Sequence, residues 1–79
     1  MWVRSQNKKI LMEIRQVEIS KYNNIIIGFN SHFETLGSYS TKEKALKVLD
    51  MIQEHITNMY IGTSNYMGKP FQMPEDEKV

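Results

Sequence analysis

The sequence predicts an α+β domain, with a mainly antiparallel sheet of four to five strands and one amphipathic helix packed on one face. Two patterns support this prediction. Between residues 2 and 39, short segments rich in Ile, Val, Tyr and Phe alternate with polar turn residues, which is typical of successive antiparallel strands. After residue 40 the apolar residues recur at spacings of three and four, which is typical of a helix with one buried stripe.

The first strands of the predicted sheet come from residues 2–19. Residues 2–5 have the β-branched and aromatic content of a short strand, and a polar turn follows at residues 6–8. Apolar residues then alternate over 10–14 and over 17–19, but the two sets have opposite parity. A bulge or tight turn near Arg15 would bring both sets to one core. The absence of Gly, Pro, Asn and Asp at this point favours the bulge.

Further strands are predicted at residues 24–29 and 33–39. Residues 21–24 contain two asparagines and separate two β-rich segments, which predicts a hairpin loop. Gly37 is predicted as a bulge or as a site of close packing against the helix. Because a single helix covers only one face of a sheet, we expect the opposite face to be exposed or covered by a partner. That face is predicted to carry Leu11, Ile26 and Leu36.

The predicted helix runs from about Thr41 to Tyr60. Ser40 and Glu43 have the spacing of a capping box, in which each side chain accepts a hydrogen bond from the other residue's amide. Gly62 and the polar residues after it are typical of a helix end. Four apolar residues of one stripe are predicted to face the sheet: Ala45, Leu49, Ile52 and Ile56.

The C-terminal segment is predicted to add an edge strand. Phe71–Met73 lies between two prolines, which cannot donate to a β-ladder. Its predicted partner is the strand around Trp2–Arg4. We expect residues 1–74 to form a single α+β domain and residues 75–79 to be a charged, disordered tail.

The composition indicates a small globular domain. The 79 residues allow one core, and a hydrophobic content of 41% with 24% charged residues is near the globular average. There is no cysteine, which favours a reducing compartment. The longest apolar run, residues 25–27, is far below the ~20 residues of a membrane span. We therefore expect a cytoplasmic protein with no membrane association and no signal segment.

The titratable and nucleophilic residues of the sequence form no pattern that indicates an enzyme. His32 and His55 are expected to be ordinary surface or boundary residues, because no cysteine completes a metal set. Asp50 and Glu54 lie one helical turn apart, where exposed carboxylates repel weakly. The sequence has neither a glycine-rich phosphate loop nor a nucleophile elbow. We expect no catalytic residues, no cofactor, no metal and no small-molecule substrate.

Two binding functions remain. Six methionines and an uncovered sheet face favour binding of a protein partner or self-association, including a homodimer. The alternative is binding of single-stranded nucleic acid, because residues 1–47 carry eight Lys or Arg and four acids, whereas residues 48–79 carry two and five. The residues predicted to bind nucleic acid are Arg4, Lys8, Lys9, Arg15 and Lys21, with Trp2 and Tyr22 available for base stacking.

Three parts of the chain carry a resemblance to a known family: Met1–Lys8 (MWVRSQNK), Leu36–Tyr39 with Lys44–Gln53, and Phe71–Pro74 (FQMP). They resemble a family of small uncharacterised proteins of Gram-positive bacteria and their phages and prophages. The family pattern has an aspartate where this chain has Asn7, and residues 61–69 resemble a variable loop. The resemblance implies a cytoplasmic, phage-associated context, and it implies no activity or cofactor. With no catalytic residues predicted, we expect a small non-enzymatic accessory protein.

Overall fold

The computed structural model, which describes residues 1–22, 24–60 and 69–79, has two three-stranded sheets and one α-helix. The predicted α+β class is confirmed, but the prediction of a single sheet of four to five strands is wrong. The elements in chain order are β1 (Trp2–Arg4), β2 (Leu11–Glu13), β3 (Gln16–Ile19), β4 (Ile25–Phe29), β5 (Phe33–Ser38), α1 (Lys42–Tyr60), β6 (Phe71–Gln72) and a 3-10 helix (Asp76–Lys78).

Sheet one has the strand order β2-β1-β6, and sheet two has the order β3-β4-β5. In sheet one, β1 is antiparallel to β2 and parallel to β6, with Val3 opposite Phe71 and Arg4 opposite Gln72. The Met73 amide continues this ladder by donating to the Arg4 carbonyl at 3.0 Å. The predicted pairing of the C-terminal strand with the first strand is confirmed.

The chain passes from sheet one to sheet two at Ile14 and Arg15. The Ile14 amide donates to the Met1 carbonyl at 2.9 Å, whereas the next amide, of Arg15, donates to the Phe29 carbonyl at 2.8 Å. Two successive amides therefore bond to different sheets. The parity change that predicted a bulge or tight turn is a switch between sheets, and both apolar sets still reach the core.

Sheet two is an antiparallel meander. Ile19 lies opposite Ile26 across the predicted hairpin, which is confirmed, although Asn23 lies outside the described residues. Between β4 and β5 the register shifts, so that Leu36 has no partner residue opposite it and forms a bulge. A Cβ on Gly37 would lie 3.0 Å from the Tyr39 hydroxyl. Gly37 therefore permits close packing of the Tyr39 ring rather than of the helix.

The helix begins at Lys42, one residue later than predicted, and ends at Tyr60 as predicted. Its N-cap is Thr41, whose Oγ1 accepts a hydrogen bond from the Lys44 amide at 3.1 Å. The predicted capping box of Ser40 and Glu43 is wrong, because the Ser40 amide donates instead to Oδ1 of Asp76 at 2.7 Å. The predicted stop at Gly62 lies outside the described residues.

The core lies between the helix and the inner faces of both sheets. On the helix, Ala45 and Ile52 are buried as predicted, whereas Leu49 and Ile56 are half-buried and Val48 takes the central position. The buried stripe is centred on Val48, and Leu49, one residue later, lies at its edge. The buried apolar residues are Val3, Ile14, Ile26, Leu36, Tyr39, Ala45, Val48, Ile52, Phe71 and Met73.

The prediction that Ile26 and Leu36 lie on an uncovered face is wrong. They are 0% and 1% exposed, while Leu11 is 55% exposed on the outer side of sheet one. β4 pairs with β3 so that Ile26 lies opposite Ile19 and Gly28 opposite Val17, and these pairs lie on the side that faces the core. A Cβ on Gly28 would lie 2.7 Å from Cδ1 of Leu36, and the glycine thus makes room for the bulged leucine.

The turn between β1 and β2 is held in place by side-chain hydrogen bonds. The Ser5 hydroxyl, which is buried, donates to Oδ1 of Asn7 at 2.7 Å and accepts from the Ile10 amide at 3.1 Å. The same Asn7 oxygen accepts from the Lys9 amide at 3.0 Å. Both bonds to the residue 7 side chain require only an acceptor oxygen, so an aspartate would serve here as well.

Gln6, at the start of this turn, joins the two sheets. Its backbone amide donates to the Leu36 carbonyl at 2.7 Å, and its side-chain Oε1 accepts from the Ser38 backbone amide at 3.0 Å. Its Nε2 donates to the Ser38 carbonyl at 3.0 Å and to the Pro74 carbonyl at 3.2 Å. We call this set of contacts the Gln6 junction. It links sheet one, the outer edge of β5 and the segment after β6.

The predicted disordered tail at residues 75–79 instead contains a 3-10 helix, Asp76–Lys78, that is held against the start of α1. Asp76 accepts from the Ser40 amide, and the Lys44 ammonium donates to the Asp76 carbonyl at 2.9 Å. The hydrogen bond from the Ser40 backbone lowers the pKa of Asp76, and the Lys44 charge lowers it further. Val79 packs against the core. The charged side chains of this segment were expected to lie in solvent, but the backbone at the N-terminus of α1 gives the Asp76 carboxylate a hydrogen-bond partner.

We predict that Gln6→Ala lowers the free energy of unfolding by about 1–3 kcal/mol, because it removes two side-chain hydrogen bonds to Ser38 of sheet two and one to the Pro74 carbonyl, and leaves the Ser38 amide without this partner. Urea denaturation followed by circular dichroism measures the change. Gln53→Ala, on the exposed side of α1, is the matched control and is expected to change stability by less than about 0.5 kcal/mol. An equal effect of the two substitutions would contradict the role of the junction.

We predict that stability falls at alkaline pH because of Tyr39. Burial raises the pKa of its hydroxyl from 10.0 to about 12, with Asp76 contributing, and the hydroxyl donates to the Pro74 carbonyl at 2.8 Å. The unfolded chain loses this proton near pH 10, whereas the folded chain keeps it, so the contribution to stability is present below pH 10.0 and is lost as the pH rises through about 12. Urea denaturation at several pH values measures the slope. Tyr39→Phe should flatten it, and an unchanged slope would contradict the assignment.

Candidate protein-binding surface

The side of sheet two that faces away from the core is apolar along its central strand. Residues alternate along β4, so that Ile26 and Gly28 are buried while Ile25, Ile27 and Phe29 are half-buried on the other side. In an antiparallel sheet with one solvated face, the outward residues are commonly polar. A central strand that is apolar on both sides is typical of a strand covered on both sides.

Aromatic residues extend this apolar side at both ends. Phe33 on β5 lies opposite Phe29, with ring centroids 4.8 Å apart and an interplanar angle of 45°. The Phe33 side chain is 61% exposed, and Tyr22, in the turn before β4, is 69% exposed. We call Tyr22, Ile25, Ile27, Phe29 and Phe33 together the outer face.

An open groove of about 650 Å³ crosses the outer face between Tyr22 and Phe33, with Ile27 among the residues that line it. Glu18 of β3 and Lys21 of the turn after it also line the groove, and they have opposite charges. The Lys21 ammonium lies 5.4 Å from the centre of the Tyr22 ring, within the range of a cation–π contact. The groove thus combines apolar and charged side chains, as protein-binding surfaces do.

The outer side of sheet one is different. Trp2 is 46% exposed and Leu11 is 55% exposed, but each is paired with a charged residue on the neighbouring strand, Glu13 and Arg4 respectively. Apolar and charged side chains therefore alternate over this side. On sheet two, Glu18 also lies opposite Ile27, but the three outward residues of the central strand β4 are all apolar. The prediction of an uncovered sheet face is right for Leu11, which is exposed, and wrong for Ile26 and Leu36, which are buried.

The residues predicted to bind nucleic acid are spread over several turns and strand ends and do not form one patch. Nε of Arg4 donates to the Lys8 carbonyl at 3.1 Å, so Arg4, Lys8 and Lys9 lie together at the turn between β1 and β2. Arg15 lies beyond the other end of β2, roughly 20 Å from Lys9 along an extended strand. Lys21 lies beyond β3, at a similar distance again from Arg15.

The two histidines have different environments. His32 is exposed, with Nε2 3.6 Å from a Glu34 carboxylate oxygen. His55 is only 8% exposed, its Nε2 lies 3.1 Å from the Lys69 carbonyl, and its ring meets Phe71 edge-on at 5.5 Å. The expectation of a surface or boundary position was wrong for His55. Its spacing of three from Ile52 places it in the buried stripe, and this signal was available in the sequence.

Carboxylates and imidazoles do not gather into a metal site in the part of the chain that the structure describes, where no group of three or more His, Asp or Glu residues could hold an ion. Asp50 and Glu54 are both exposed on α1. Among the described residues, no helix has the length and apolar character needed to cross a membrane.

Comparison with known proteins adds no further constraint: no protein-family model, no curated protein and no solved structure matches this chain. The resemblance to small phage-associated proteins therefore stays a prediction.

We predict that Phe33→Ser leaves the fold intact. The substitution removes the ring contact with Phe29, which is worth about 0.5–1.5 kcal/mol, from a side chain that is mostly in solvent. Urea denaturation measures the loss, with Leu11→Ser, at a similar exposure on sheet one, as the matched control. A loss above about 3 kcal/mol, the size expected at a core position, would show that Phe33 belongs to the core.

Proposed function

We propose that this chain is a small non-enzymatic accessory protein that binds a protein partner, or a second copy of itself, through the outer face. One observation carries the proposal: the central strand of sheet two is apolar on both sides, and only its inner side is covered by the helix. The resemblance in Met1–Lys8 and Phe71–Pro74 favours a phage-associated context for this binding.

The outer face supplies both affinity and orientation. Full burial of an aromatic side chain contributes about 1.5–3 kcal/mol, so Tyr22 and Phe33 provide two anchors of the kind that dominate protein interfaces. The anchors are 69% and 61% exposed, and little of this gain is realised in the free chain. The opposite charges of Glu18 and Lys21, which line the groove, restrict how a partner can be oriented.

A second candidate is binding of single-stranded nucleic acid at the turn between β1 and β2. Its support is that exposed Trp2 and Arg4 lie on the same side of β1, and that Arg4 is hydrogen-bonded to the turn that carries Lys8 and Lys9. An aromatic ring beside three cations is the combination that stacks on a base and contacts phosphates.

We predict that the immobilised chain captures protein from a lysate of a Gram-positive host, and that Phe33→Ser abolishes this capture while Leu11→Ser preserves it. The reason is that only Phe33 lies on the outer face. Mass spectrometry of the captured fraction, with and without nuclease, is the measurement. Capture that is lost on nuclease treatment and on Arg4→Ala, but survives Phe33→Ser, would favour nucleic-acid binding instead.

A further inference from the structure

We propose that Met51 and His55 of α1 bind a soft monovalent cation, of the Cu(I) or Ag(I) class, in the cavity that both residues line. The ligands are the thioether sulfur of Met51 and a ring nitrogen of His55. Because α1 covers the inner side of sheet two, this site is separate from the outer face and does not depend on the proposed function.

The spacing of the two residues brings their side chains together. Met51 and His55 lie four residues apart on α1, where Cβ atoms are about 5–6 Å from each other. Helical side chains lean toward the N-terminus of the helix, so the His55 ring leans toward Met51. Both residues, with Glu54 and Phe71, line an open cavity of about 170 Å³. A water molecule in the liquid occupies about 30 Å³, so the cavity has room for an ion.

The His55 ring is held in an orientation that suits a ligand. Its Nε2 lies 3.1 Å from the Lys69 carbonyl, and because a carbonyl only accepts, Nε2 carries a proton and donates it. In the neutral ring, Nδ1 then has the lone pair that coordinates an ion. The edge-on contact with Phe71 at 5.5 Å also limits rotation of the ring. Metal-binding histidines are commonly oriented in this way, by a hydrogen bond from the second ring nitrogen to a carbonyl.

The ligand types select the ion. Thioether sulfur is a soft ligand that favours Cu(I), and imidazole also accepts copper, whereas hard ions such as Mg²⁺ and Ca²⁺ prefer oxygen ligands. The expectation of no metal rested on the lack of cysteine, but a methionine supplies sulfur as well. Met51 is 40% exposed, so an ion can enter from solvent. The exposed carboxylates of Asp50 and Glu54 lie beside the two ligands along α1 and favour the approach of a cation.

We predict that silver ions shift the NMR signals of this site first. The probe is silver nitrate in chloride-free buffer, added to the full chain labelled with ¹³C at the methionine methyl groups. The Met51 methyl and His55 ring signals are expected to shift together and to saturate at a single equivalent. The other five of the six methionines are internal controls. Among them, Met59 lies one turn after His55 but is not one of the described residues that line the cavity.

Substitutions separate the two ligands from the fold. Met51→Leu keeps the side-chain volume nearly constant at an exposed position, so the fold should be retained. It is expected to weaken silver binding by at least about tenfold, the loss that even an outer-shell change can cause. His55→Gln should weaken binding similarly, and circular dichroism checks its fold. Met12→Leu on β2 and the exposed His32→Gln are matched controls and should leave silver binding unchanged.

Silver that shifts another methionine first, or that binds Met51→Leu as tightly as the wild-type chain, would overturn the site. Zinc that binds as tightly as silver, with no dependence on Met51, would overturn the assignment to a soft ion. Phe33→Ser should leave silver binding unchanged, because Phe33 lies on the outer face. Loss of protein capture in that variant therefore tests the proposed function separately from the metal site.

Discussion

The side-chain amide of Gln6 is the contact on which the arrangement of the two sheets depends. Each sheet has three strands of two to six residues, and sheets this small need further packing to be stable. Gln6 bonds to both backbone groups of Ser38 and to the Pro74 carbonyl. Its backbone amide also donates to the Leu36 carbonyl. Residue 6 therefore lies along the outer edge of β5 like a short extra strand, two residues after β1 of sheet one ends at Arg4.

This junction determines which sides of the sheets become the core. With sheet one attached to the outer edge of β5, the inner sides of both sheets face α1, and Val3, Ile26 and Ile52 contribute to one buried cluster. The C-terminal segment completes the core, because Met73 is buried in it and Asp76 is hydrogen-bonded to the backbone at the start of the helix. The outer face of sheet two is left uncovered, and this is the physical basis of the proposed binding function.

Local patterns predicted the elements well because their causes are local. Spacings of three and four gave the helix, and alternation gave the strands. The pairing of β6 with β1 was also predictable, because an apolar segment between prolines gains most from an edge position. The error at Leu49 concerns the edge of the buried stripe, where periodicity alone discriminates poorly. The burial of His55, by contrast, follows from its spacing of three from Ile52.

The features that the sequence did not predict are long-range hydrogen bonds and their consequences. Gln6 is 32 residues from Ser38 and 68 from Pro74, and no local pattern signals such a contact. The Ser40 amide was predicted to bond to Glu43 but bonds instead to Asp76, 36 residues away. The side of β4 that faces the core follows from its pairing with β3 and from the covering helix, neither of which the local pattern of β4 contains. The sequence therefore predicted an uncovered face but placed Ile26 and Leu36 on it instead of the outer-face residues.

Hydrogen exchange at the Ser38 amide tests the junction most directly. This amide lies on the outer edge of β5 and bonds to the Gln6 side chain at 3.0 Å, whereas the Tyr39 amide bonds to the Asn24 carbonyl at 2.8 Å. We expect the Ser38 amide to exchange within roughly a factor of ten of the Tyr39 amide, through the same cooperative opening. In Gln6→Ala, protection should be lost first at Ser38. A Ser38 amide that exchanges in the wild-type chain as fast as an unprotected loop amide would contradict the account.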